Sequence, residues 1–163
     1  DYPGVTFVYM TGHLNGTGDT GNLHARNNQI RNHVLATGGI LFDFADIDSH
    51  DPDCLINYMP LLCNDNCDYD SDGNGTRDAN WATDWVTAYP GAEYTTIAAN
   101  CGGCAHSQAL NCCQKGAATW WLLATVAGWD NPNANVPASG PWGLGLALLI
   151  IGALIGVQMI RKH

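Results

Sequence analysis

Asp68, Asp70, Asp72, Asn74, Thr76 and Asp78 follow one another in the pattern DxDxDGxGxxD, a spacing that turns alternate oxygen side chains toward one hard cation. Gly73 supplies the sharp turn such a loop needs. Calcium is the expected occupant, with Asn74 offering its backbone carbonyl and Thr76 reaching the ion directly or through water. The twelfth position, where a helix-loop-helix calcium sensor carries glutamate, is Ala79, and Asp78 falls one residue early, so the loop reads as a shorter, extracellular type. A second chemistry is offered by His106, set in CGGCAHSQALNCCQKG, where cysteines on both sides would pin a loop ahead of a helix. An imidazole held in that way is suited to acid/base work.

Seven cysteines in 163 residues, Cys54, Cys63, Cys67, Cys101, Cys104, Cys112 and Cys113, are many for a reducing compartment, and disulfides are expected. An odd count leaves one thiol free or paired outside the chain. The alternative is a four-sulfur zinc site from Cys63-x3-Cys67 and Cys101-x2-Cys104. Cys101-Gly-Gly-Cys104-Ala-His106 does not fit haem attachment, which requires histidine directly after the second cysteine.

The elements that must position these groups are short. VTFVYM, Val5 to Met10, is apolar and β-branched between turn signals and reads as a buried strand; the chain opens almost on it, as a processed or truncated product would. A glycine-rich loop carrying His13 follows. It lacks the lysine and glycine spacing of a phosphate-binding loop. Leu23 to Ala36 has helical periodicity, with Leu23, Asn27, Ile30 and Val34 inward and Arg26, Arg31 and His33 outward, and Gly38-Gly39 ends it. ILFDF, residues 40–44, is a second strand, and strand-helix-strand order predicts a parallel pair. Ligands sit at the carboxyl ends of such strands, which here present His13, Asp43, Asp46 and Asp48, and His106 could come to the same edge. Regular structure then gives way over about 46–79, and Asn80 to Ala88 reads as a short helix. A last helix is expected over Gly116 to Ala127 with Trp120, Leu123, Ala124 and Ala127 on one side at i, i+3, i+4, i+7 spacing, stopped by Gly128.

The formal charge of -9 comes from fourteen aspartates and one glutamate against six basic residues, a balance that disfavours nucleic acid. One domain, residues 1–129, is followed by a proline-bearing linker, 130–141. Trp142 to Ile160 then runs nineteen residues with Gln158 as its one polar side chain, before Arg161-Lys162-His163. As a helix it would be roughly 28 Å long, enough to span a bilayer or to fill the core of a filament. Gly145, Gly152 and Gly156 give it a smooth stripe for close packing against another helix, so a homo-oligomer or a membrane is the expected partner.

VTFVYMTGH, the helix around Asn27 to Asn32, ILFDFADI and CAHSQALNCCQKGAATWWLLATVAGW together resemble the C-terminal half of an SGNH (GDSL-type) hydrolase, an esterase family of secreted bacterial enzymes. The resemblance implies an α/β fold: a partial flavodoxin-like three-layer domain with a parallel sheet, here with a Cys- and Asp-rich loop insert and a C-terminal hydrophobic helix. It also implies that His106 is the catalytic base. The family's aspartate three residues before that histidine is replaced by Gly103, which leaves Asp43 or Asp46 to orient the ring. The family's Gly-Asp-Ser block does not occur, and Ser49, Ser71, Ser107 and Ser139, the only serines, lack an activating strand-to-turn setting. The tail from Val136 resembles the C-terminal sorting signals of exosortase-type export systems.

Two functions are expected. One is an exported, calcium-binding, disulfide-stabilised surface or filament subunit, an SGNH-like remnant assembled or anchored through its C-terminal helix. The other is a serine ester hydrolase whose nucleophile lies on a missing N-terminal part. Both place the chain outside the cytoplasm.

Overall fold

The computed structural model describes residues 3–102 and 104–129. The polypeptide up to Gly128 forms one compact unit, and it is a mixed α/β unit. The linker and the 142–163 segment, with Gly145, Gly152 and Gly156, lie outside the described residues. Among the described residues no helix is long and apolar enough to cross a membrane.

β1 (Val8–Met10) and β2 (Ile40–Phe42) pair in parallel, Val8 opposite Ile40 and Met10 opposite Phe42, with α1 (Asn22–Thr37) as the crossover. The helix stops at Gly38, whose φ of 67° is the left-handed conformation glycine adopts freely. Asn27 and Val34 are its buried residues, Asn27 because its side chain both accepts from the Gly12 N–H and donates to the Gly12 carbonyl. Arg31, expected to face solvent, instead turns onto Asp43.

The first strand corrects the sequence reading. It is three residues long, all three are exposed, and Phe7 just before it is 70 % exposed. α1 packs against both strands, but among the described residues no strand pairs with the other edge of β1. A parallel pair needs both faces covered before it becomes a core, and this one is not. β2 ends at Phe42 rather than Phe44, because Asp43 is the N-cap of α2 (Phe44–Ser49), its carboxylate accepting the Asp46 N–H.

The core lies under the Asp- and Cys-rich segment instead. Leu14, Tyr58, Met59, Cys63 and Cys67 pack with Trp81 and Trp85 of α3 (Trp81–Ala88), Ala98 of α4 (Glu93–Asn100) and Leu110 of α5 (Ala109–Val126). Trp81 is 1 % exposed and stacks on Tyr58 at 5.7 Å. The Asn80 side chain accepts the Thr83 N–H and starts α3. A short antiparallel hairpin, β3 (Asp68–Tyr69) with β4 (Ala79–Asn80), brackets the acidic loop.

α5 is the axis against which α2, α3 and α4 pack. It begins at Ala109, seven residues earlier than the periodicity suggests, so Cys112 and Cys113 stand on the helix rather than in a loop. Cys101 bonds to Cys113 and Cys104 to Cys112, which removes the proposed four-sulfur zinc set. The helix buries Leu110 and Asn111, whereas Trp120 and Leu123, on the apolar side that the spacing identifies, are 74 % and 59 % exposed. Apolar spacing identifies an amphipathic face but not what the neighbouring elements supply to cover it.

Candidate functional site

Three loops meet beside the carboxyl ends of the parallel strands. His13 follows β1 by three residues, His106 precedes α5, and Asp65 stands in the turn before β3. His13 Nδ1 is 3.7 Å and His106 Nδ1 is 3.9 Å from the same oxygen, Asp65 Oδ2. All three line an open cavity of about 590 Å³, with Phe44, Ser107 and Lys115. Strand-end placement of His13 and His106 at one edge is legible from topology. Asp65 is not, because nothing in the local sequence CNDNCD distinguishes it from the thirteen other aspartates.

Beneath the histidines runs a closed polar network. Lys115 Nζ sits 2.7 Å from Asp48 Oδ1, donates to Ser107 Oγ at 3.1 Å, and lies 4.8 Å over the Phe44 ring. Asp48 Oδ2 accepts the Leu14 N–H, and Ser107 donates to Asn111, which donates to the Ile47 carbonyl. Burial pushes the Asp48 carboxyl above its ordinary value despite the pull of Lys115. Ser107 is adjacent to His106 yet held by an ammonium donor, which stabilises its oxygen and opposes nucleophilic attack.

The two carboxylates expected to orient His106 are committed elsewhere. Asp43 takes a two-point bond from Arg31 (2.6 and 2.7 Å) and the Thr11 hydroxyl at 2.9 Å. Burial alone would raise its carboxyl, but these donors together hold it below the ordinary range. Asp46 lies 3.5 Å from His50 Nδ1. Ser49 Oγ lies 3.0 Å from that same nitrogen, so the Ser49, His50 and Asp46 trio is not a relay: serine and carboxylate share one ring nitrogen instead of taking one each. Ser49 is also sealed from solvent, donating to the Asp46 carbonyl.

The second site is the acidic loop. One carboxylate oxygen from each of Asp70, Asp72 and Asp78 lies within 4.8 Å of the others, a group able to hold a metal ion. Asp70 is buried and accepts the N–H groups of Gly73, Asn74 and Gly75, and Gly73 has φ 77°, so its side chain folds the loop around itself. Asp72 accepts from Asn74, and Asn74 in turn accepts the Thr76 N–H. The Ser71 N–H holds the Asp78 carboxyl below its ordinary value. Asp68, counted as a ligand from sequence, is not in this cluster. Its oxygens accept from Asn64, Asn66 and Asn80, which bind the turn before β3 to the hairpin.

Three cysteines remain thiols rather than one: Cys54 is exposed, and Cys63 and Cys67 are fully buried. Burial pushes the Cys67 thiol up to about 12 and Cys63 higher still, so both are inert core residues. No family model, no curated protein and no solved structure matches this chain.

Proposed function

We propose that this chain is the base-bearing part of an exported ester hydrolase of the SGNH type, with His106 taking a proton from a serine outside residues 3–129. The observation that carries this reading is the backbone of His106: its φ is 53°, in the left-handed region, on the rim of an open cavity. A residue other than glycine holds that conformation where the surroundings enforce it, commonly at functional sites. The bare edge and exposed apolar side chains of β1 support a larger flavodoxin-like three-layer sheet, in which further strands would cover β1 and bring the nucleophile. The substrate class is an acyl or acetyl ester. Calcium suits the acidic loop, whose donors are all oxygen, and two disulfides suit an oxidising compartment outside the cytoplasm. The test is hydrolysis of p-nitrophenyl acetate by protein purified from its native source. His106→Ala should abolish turnover, and equal rates for the two proteins would remove the reading.

A second reading, a surface or filament subunit assembled through the apolar 142–160 segment, draws support from the exposed Trp120, Leu123 and Val126 toward the end of α5. Sedimentation of the full chain distinguishes it: a monomer in the absence of detergent and membrane would count against assembly.

A further inference from the structure

We infer that Asp65 is the positioning residue of His106, accepting its Nδ1–H so that Nε2 faces the cavity; this rests on the hydrolase reading above. Asp65 Oδ2 is the carboxylate oxygen at 3.9 Å from His106 Nδ1, and the ring is 84 % exposed, so it can close the remaining gap at small cost. Hydrogen bonds of this kind are often long before substrate binds.

The other groups facing Asp65 are already engaged. His13 is 3.7 Å away, but its Nδ1 lies 2.9 Å from the Leu14 carbonyl, to which its N–H donates. Lys115 is paired to Asp48 and Ser107. His106 is therefore the ring beside Asp65 whose Nδ1–H is not already given to a backbone carbonyl.

Both partners are held by a common frame. In the turn that carries Asp65, Asn64 Oδ1 accepts the N–H groups of Asn66 and Asp68, and the Asn64 carbonyl accepts the Cys67 N–H. From this turn Asn66 Oδ1 accepts Gln108 Nε2 at 3.2 Å, a bond to the residue two beyond His106. On the other side, Cys104 is bonded to Cys112 of α5, and Ser107 is tied to Asn111 and Lys115. His106 is thus clamped from before and after, in a left-handed conformation, with its ring beside the turn. The frame holds the two backbones at a set distance, and a carboxylate so placed sets which ring nitrogen carries the proton once the ring turns onto it.

The experiment reads that proton directly, by two-bond ¹⁵N–¹H correlation of the imidazoles in the full chain at a pH where the rings are neutral. The expected result is His106 protonated mainly at Nδ1. In Asp65→Ala the ratio of the Nδ1–H to the Nε2–H form should fall about threefold or more, the size of effect a partly exposed charged hydrogen bond produces. His13→Ala should leave the ratio unchanged. A wild-type His106 protonated mainly at Nε2 overturns the assignment whether or not any variant folds. So does an unchanged ratio in folded Asp65→Ala, or an equal change in His13→Ala. Ester hydrolysis by the protein purified from its native source, which carries whatever nucleophile the mature protein has, separates the two claims. The Nδ1–H form without hydrolysis supports Asp65 and removes the enzyme; the Nε2–H form with hydrolysis does the reverse.

Discussion

Replacing Asp43 separates a structural carboxylate from a catalytic one. Its side chain joins three elements: Thr11 just after β1, Arg31 of α1, and the first turn of α2, which it caps. The Arg31 pair is two-point, and both side chains are about three-quarters buried (23 % and 26 % exposed), so it is worth about 1 kcal/mol. The helix cap contributes about 1 kcal/mol and the Thr11 hydroxyl about the same. The three share one carboxylate and are not additive, so Asp43→Ala should cost about 2–3 kcal/mol in urea unfolding at pH 7. Asp43→Asn keeps the cap and an acceptor for Thr11, loses the charge, and should cost about 1 kcal/mol. The folded Asp43 carboxyl lies below its ordinary value of 3.8, so its contribution is present above pH 3.8 and is lost as the pH falls through the lower folded value. The gap between wild type and Asp43→Ala should therefore narrow in strong acid. Asp48 acts with opposite sign: its raised carboxyl favours folding at low pH and loses that contribution as pH rises through the folded value, which cancels in the comparison. An Asp43→Ala penalty below about 0.5 kcal/mol at pH 7, or one that does not shrink in acid, would refute this account of Asp43.

Calcium at 100-fold above its dissociation constant should add about 2.7 kcal/mol and raise the melting temperature by roughly 10 °C, and Asp70→Asn should remove the response; equal melts in calcium and EGTA would mean that the loop does not hold the ion. Thiol labelling without reduction should find three reactive groups in denatured protein and Cys54 alone in native protein. A total of one would mean that Cys63 and Cys67 are bridged. Trp81→Ala should cost about 3–5 kcal/mol in a urea melt, against less than about 0.5 for Trp120→Ala; a larger loss at Trp120 would show that its face is covered.

Local signals carried the sequence a defined distance. Gly38 as a helix stop, Asn80 at the start of a helix, the parallel pairing of the two strands, and the acidic turn at Gly73 all depend on backbone preferences and short-range hydrogen bonds, which neighbouring residues specify. Patterns failed where burial was inferred from them. VTFVYM and the Trp120 and Leu123 face are apolar but exposed, whereas the cysteine- and aspartate-rich stretch, read as loops, supplies Tyr58, Met59, Cys63 and Cys67 to the core.

By itself, then, the sequence determined the types of chemistry on offer: an oxygen cage for a hard cation, cysteines for disulfides, and a histidine on a tethered loop. The tertiary structure decided which groups meet. It paired Cys101 with Cys113 and Cys104 with Cys112, spent Asp43 on Arg31 and Asp68 on three asparagines, and set Asp65 beside His106 across 41 residues of chain. Such meetings depend on how elements pack around α5, and the free energy that selects them is a sum over non-local contacts that no short window of residues contains.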